Sequence, residues 1–320
     1  MNKVLENISL MGIAPVVVID DAKDAVPLAE AMKKGGLPCY EVTLRTAAGL
    51  DAIGKIAELS DPDMILGAGS VITLDNCKDA LSAGARFIVS PGLDTSVVEY
   101  CLERDIAVLP GCVTPTEIMR AIDMGLDTVK FFPANVYGGL SAMKALSGPF
   151  PKLRFVPTGG VNTANLAEYL SAPYIRAVGG SWLCTKSDIN SGNFDKITTL
   201  CHEARQLALG YEVAHIGINT ESREESASVC HALNDAFALP IKEGSSSIFA
   251  SAAIEVMNSR YLGKNGHIAI RANSIERALA DLKGKGFEAD MSTAKFKGDK
   301  LIAVYLKQEI GGFAFHLLQK

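Results

Sequence analysis

FIVSPGLDTSVVEYCLERDIAVLPGCVTPTEIMRAIDMGLDTVKFFP, residues 87–133, holds three short apolar runs: FIVSP (87–91), AVLPG (107–111) and TVKFFP (128–133). Between the last two lies TPTEIMRAIDMG, whose apolar residues recur at spacings of three and four, the period of a helix buried on one face. The alternation continues outward in both directions. Upstream are PVVVI (15–19), CYEVTL (39–44) and DMILGAG (63–69), with DAVPLAEAMKKGG and LDAIGKIAELS as helical patterns between them. Downstream are RFVPTGG (154–160) and IRAVGG (175–180). Apolar runs separated by helical crossovers predict parallel strands buried on both faces. Eight such units close naturally into a (β/α)8 TIM barrel; a doubly wound open sheet is the competing arrangement.

NKVLENISLMG, before the first strand, reads as a short helix over the barrel floor, and FDKITTLCHEARQLALG (194–210) as the closing helix, with Gly210 its stop signal. The composition then changes. AHIGIN, IFASAAIEVM, GHIAI, IAVYLK and FAFHLL resemble strands, and the helical stretches REESASVCHALNDAF and SIERALADLKGKG each follow one of the two similar openings AHIGIN and GHIAI. That pattern suggests a duplicated β-α-β-β unit. The expected organisation is an α/β barrel over 1–209, followed by a smaller α+β domain of paired βαββ(β) modules over 212–320.

Composition removes several function classes. Residues 1–210 carry 18 basic and 23 acidic side chains, and residues 211–320 carry 13 of each. Neither part has the positive excess that binding nucleic acid requires. No apolar run is long enough to cross a bilayer, and the N-terminus, with Glu6 and no sustained apolar core, does not read as a secretory signal. Seven cysteines without close pairs suggest reduced thiols, so a cytoplasmic protein is expected. All five histidines (His202, His215, His231, His267 and His316) lie beyond residue 201. Chemistry in the first 200 residues therefore proceeds without histidine, which excludes a Ser-His-Asp or Cys-His hydrolase and a histidine-ligated metal there.

Two strands carry charge where a barrel core is normally aliphatic. Glu41 lies in YEVTLR and Lys130 in TVKFFP. Burial disfavours the charged form of an amine. An uncharged amine condenses with a ketone to a Schiff base, an electron sink for carbon–carbon cleavage. Without histidine, Glu41 is the nearest group able to move protons if it faces the same interior. The alternative is a purely structural buried ion pair between the two. Arg45, at the mouth of the same strand, offers a planar fork for a substrate carboxylate, or is simply an exposed loop residue. The last two strands end in Gly159, Gly160 and Gly179, Gly180, followed by Ser181. Barrels often hold phosphate at those loops; tight turns are the plainer reading.

The ordered set EVTLRT, GAGS, SPGL, LPGCVTPTE, VKFFPA, PTGG and GGSW closely resembles the 2-keto-3-deoxy-6-phosphogluconate / 2-keto-4-hydroxyglutarate aldolases over residues 1–209. The resemblance implies Lys130 as Schiff-base nucleophile, Glu41 as general acid/base and Arg45 as carboxylate ligand. Ser70 stands where that family has threonine, so a hydroxyl is kept and a methyl lost. Thr158 is implied near the substrate carboxylate, Gly159, Gly160, Gly179, Gly180 and Ser181 around the phosphate, and Pro91 and Phe132 as pocket lining. It also implies a homotrimer without a metal cofactor that cleaves a small phosphorylated keto acid to pyruvate and glyceraldehyde 3-phosphate. Cleavage of 4-hydroxy-2-oxoglutarate to pyruvate and glyoxylate is a second implied activity.

Residues 212–320 look like a vicinal oxygen chelate module of the glyoxalase/bleomycin-resistance type, through AHIGIN, GHIAI and the IEVM and FAFHLL strands. The positions matching that superfamily's metal ligands are His215, Glu255, His267 and His316, the last departing from the usual glutamate. A divalent metal site and a metal-free binding or oligomerisation role both remain open at this stage. Two further functional readings stand beside the aldolase: a phosphate-binding barrel isomerase, and a metabolite sensor using the C-terminal domain.

Overall fold

The computed structural model describes residues 2–320. The chain forms two compact units, Met1–Ala208 and Leu209–Lys320.

In the first unit, α1 (Lys3–Met11) precedes eight strands: β1 (Ile13–Val17), β2 (Cys39–Thr43), β3 (Ile65–Gly69), β4 (Phe87–Val89), β5 (Ala107–Leu109), β6 (Thr128–Phe131), β7 (Arg154–Pro157) and β8 (Val178–Gly180). Between and after them run α2 (Ala25–Lys34), α3 (Gly49–Ala57), α4 (Leu74–Ser82), α5 (Thr95–Leu102), α6 (Pro115–Asp123), α7 (Gly139–Ser147), α8 (Leu166–Ser171), α9 (Lys186–Asn190) and α10 (Phe194–Leu209). The order β5-β4-β3-β2-β1-β8 forms one parallel sheet and β6-β7 a second. Single bridges, Gly111 to Lys130 and Thr158 to Gly179, close the two seams into an eight-stranded barrel. The open doubly wound sheet is thereby excluded.

Strand parity decides what the barrel encloses. Leu5 and Ile8 of α1 cluster with Ala14, Cys39, Ile65, Phe87, Leu109, Val156 and Ala177 in the interior, whereas Tyr40, Val42, Val129, Phe131 and Phe155 pack outward with the helices. Because side chains alternate across a strand, Glu41 shares the inward side with Cys39, and Lys130 lies opposite in parity to Val129 and Phe131. Local signals set the loops. Thr114 caps α6 by accepting from the Glu117 N–H, while Glu117 Oε2 accepts from the Thr114 N–H at 2.9 Å, with Pro115 in the first turn. Gly210 follows α10 at φ 59°, a left-handed conformation that glycine adopts without a Cβ penalty.

The second unit is one eight-stranded sheet in the order β10-β11-β12-β9-β13-β16-β15-β14. Its first module is β9 (Glu212–Ile218), α11 (Arg223–Phe237), β10 (Ile241–Glu243), β11 (Ser247–Ala250) and β12 (Ile254–Met257). Its second is β13 (Gly266–Ala272), α12 (Ile275–Gly284), β14 (Ala289–Lys297), β15 (Lys300–Ile310) and β16 (Phe313–Gln319). Each module is therefore β-α-β-β-β. The stretch IFASAAIEVM is two strands, because Ser251 turns the chain at φ 64°. β9 and β13 meet antiparallel at the centre, and β12 and β16 run parallel to them on either side. Among the described residues, no helix is long and apolar enough to cross a membrane.

Candidate active site

Inside the barrel, Lys130 Nζ lies 3.2 Å from Glu41 Oε1, with both side chains almost wholly buried. The reading that β2 and β6 project these groups into one interior thus corresponds to a direct contact. Lys130 Nζ also lies 5.3 Å from the centre of the Phe132 ring. Inside a low-dielectric core the pair is held together strongly, and removing either member leaves the other uncompensated, at about 3–5 kcal/mol.

Of the other barrel residues singled out in the sequence, Gly179 and Gly180 end β8, and the rest stand just past the C-terminal ends of their strands, at one mouth. Arg45 follows β2 and is exposed, and its Nε donates to Ser70 Oγ at 2.8 Å. Ser70, directly after β3, has φ 57°. Pro91 follows β4 and is exposed, and Phe132 follows β6 half-buried. Thr158 is buried after β7, and Ser181 is exposed after β8. Gly159 and Gly160 adopt φ of 93° and 82°. Gly179 and Gly180 have a different reason to be glycine. A Cβ at Gly179 would overlap Thr158 Oγ1, and one at Gly180 would overlap the Trp182 ring. Packing alone demands glycine at these two positions.

Gly69 escaped the sequence reading. A Cβ there would overlap the Glu41 carboxylate, so a side chain on this strand would displace the group facing Lys130. Its only sequence signal was glycine inside an apolar strand. Gly69→Ala is expected to lower kcat by about a hundredfold, since misplacing a reacting group by ~1 Å costs that much. Steady-state rates on protein of unchanged circular dichroism check this.

In the second unit, His215, His267 and His316 place donor atoms within 4.8 Å of one another. Glu255 Oε2 lies 3.0 Å from His215 Nε2 and 3.1 Å from His267 Nε2, which are 3.2 Å apart. The three histidines come together, and Glu255 lies against two of them, His215 and His267. Ser247 Oγ donates to the other Glu255 oxygen at 2.6 Å, and Gly217 leaves the space that the His267 ring fills. The sequence reading missed both of these residues. Burial works against ionisation of Glu255, but hydrogen bonds from His215, His267 and Ser247 outweigh it and hold the carboxyl below its usual range. Burial, with His267 and His215 nearby, pushes the His316 imidazole down to about 3. His316 Nε2 is buried without a hydrogen-bond partner among the described residues. Three imidazoles within 4.8 Å of one another, with a carboxylate against two of them and His316 Nε2 unpaired, are a donor set that could hold a transition-metal ion.

An eight-stranded parallel barrel centred on a buried amine–carboxylate pair marks the first unit as a lyase of the class I aldolase type. The chain belongs to the KDPG and KHG aldolase family, whose model matches residues 4–200. A 2-dehydro-3-deoxy-phosphogluconate aldolase of Treponema pallidum is 42% identical over 207 residues, 65% of this chain and 98% of that protein. The KHG/KDPG aldolase of Escherichia coli K12 is 41% identical over 192 residues, 60% of this chain and 90% of that protein. Among solved structures, the KDPG aldolase of Legionella pneumophila, with pyruvate captured as a covalent carbinolamine, superposes with a TM-score of 0.61. It is 39% identical and covers 63% of this chain and 98% of its own. The Zymomonas mobilis ZM4 enzyme with 3-phosphoglycerate gives 0.59 at 40% identity, covering 65% and 97%.

Proposed function

We propose that the barrel cleaves 2-keto-3-deoxy-6-phosphogluconate to pyruvate and glyceraldehyde 3-phosphate through a Schiff base on Lys130. The observation that carries this reading is the 3.2 Å contact between Lys130 Nζ and Glu41 Oε1 in the barrel interior. The carboxylate that compensates the ammonium at rest is also within reach to take its proton. The freed amine attacks the C2 ketone to give a carbinolamine, and loss of water, with a proton returned from Glu41, leaves the iminium. The Glu41 carboxylate then takes the proton of the C4 hydroxyl, the C3–C4 bond breaks to release the aldehyde, and its electrons pass into the iminium as an enamine. Protonation at C3 and hydrolysis release pyruvate and restore the lysine.

Arg45, steadied by Ser70, is suited to the substrate carboxylate through its planar fork, and Thr158 lies at the same mouth. Gly159, Gly160, Gly179, Gly180 and Ser181 form the loops proposed for the phosphate, and Pro91 and Phe132 the pocket wall. Cleavage of 4-hydroxy-2-oxoglutarate is proposed as the lesser activity, because it leaves the phosphate loops unused. Pyruvate release from each substrate by the full chain tests this. A higher kcat/KM for the phosphorylated substrate is expected, whereas turnover without pyruvate would make the barrel an isomerase. A homotrimer is proposed as well, supported by exposed Met119 and Ile122 on α6; light scattering of the full chain checks it.

For the second unit we propose a divalent metal held by His215, Glu255, His267 and His316, supported by the three histidine donors lying within 4.8 Å of one another and by Glu255 against His215 and His267. The His215→Ala/His267→Ala double variant is expected to lose the metal measured by plasma emission. Full metal content in that variant would overturn the assignment.

A further inference from the structure

The two modules of the second unit correspond residue by residue. His215 opens His-Ile-Gly-Ile on β9, and His267 opens His-Ile-Ala-Ile on β13. Glu255 on β12 pairs with Gly217, two residues after the first histidine. His316 on β16 pairs with Ala269, two residues after the second. Positions 255 and 316 are thus one position seen twice, filled by a carboxylate in one module and an imidazole in the other. A symmetric site would hold two imidazoles and two carboxylates. This one holds three imidazoles and one carboxylate.

Resting on the metal reading above, we infer that His316 is the selectivity-determining ligand, directing the site to borderline first-row cations such as cobalt, nickel or zinc and away from manganese and magnesium. The reason lies in donor chemistry. Hard cations bind mainly through charged oxygen, and replacing one of two carboxylates by neutral nitrogen removes half of the anionic charge they rely on. Borderline cations gain from nitrogen donors, so the same replacement favours them. The surroundings hold His316 as a ring in place. It stacks on Tyr305 with ring centres 4.5 Å apart and planes 11° apart, and its Nε2 is left without a hydrogen-bond partner among the described residues.

The full-length protein, stripped with chelator, is titrated separately with cobalt, manganese and magnesium by equilibrium dialysis with plasma emission. Cobalt is expected to bind at least about a hundredfold more tightly than manganese, with magnesium weaker still. In His316→Glu the cobalt-to-manganese affinity ratio is expected to fall by about tenfold or more, with a changed visible spectrum of bound cobalt. Manganese bound as tightly as cobalt by the unaltered protein would overturn the inference, and so would an unchanged ratio in the variant. If His316→Glu fails to fold, His316→Gln serves: it removes the nitrogen donor, and unchanged cobalt affinity would overturn the inference equally. Failure of the unaltered protein to bind any of the three ions would instead bring down the metal site itself.

Discussion

Lys130→Met is expected to abolish covalent capture of pyruvate and to reduce pyruvate release by about ten-thousandfold or more, as loss of a nucleophile does elsewhere. Methionine keeps the length and apolar stem of lysine but has no amine to condense with a ketone. The barrel should survive the change. Lys130 contributes little to the helix–sheet core that Val129 and Phe131 build on the other side of β6. Comparison of steady-state rates with far-ultraviolet circular dichroism separates lost chemistry from lost fold. Substantial pyruvate release by folded Lys130→Met would show that another group carries the reaction.

Glu41→Gln should give the second-largest effect, a fall in kcat of about 10²–10⁴-fold, the usual contribution of a positioned proton-transfer group. The amide keeps the shape of the carboxylate and its place over Gly69, but it can neither take the Lys130 proton nor return one. The decrease should appear in kcat more than in KM, because Arg45 and the strand-end loops that receive the substrate are unaltered. Lys130 remains present, so slow covalent trapping should persist. The variant also leaves a buried ammonium without its partner, and a stability loss of up to about 3–5 kcal/mol is expected in denaturant unfolding. A kcat within about twofold of the unaltered protein would restrict Glu41 to a structural ion pair.

These two residues were legible in the sequence because charge inside an apolar strand is costly enough to demand a reason. Strand parity then fixed their common direction: Cys39 and Glu41 face one way, Tyr40 and Val42 the other. The periodic alternation of short apolar runs and amphipathic helices also gave the barrel. Strand ends were less exact. β1 begins at Ile13, two residues before PVVVI, because β8 pairs with Ile13–Pro15 across the closing side of the barrel, and no local pattern encodes that pairing. The roles of Gly69, Gly179 and Gly217 were hidden for a similar reason, since each makes room for a side chain from a neighbouring strand.

In the second unit the histidines at two similar openings pointed to one site, and the observed register gives them the same relation to Glu255 and His316. β10 and β14 were not foreseen. Both lie at sheet edges, and their residues are mostly exposed, so neither has the apolar alternation that marks a half-buried strand.

The account rests on Lys130 acting as an amine toward a ketone. The direct measurement is borohydride reduction of the full-length protein in the presence of pyruvate, followed by mass spectrometry of its peptides. The expected result is a single stable adduct on the peptide containing Lys130. An unmodified Lys130 in protein shown to be folded, or an adduct on a different lysine, would contradict the mechanism.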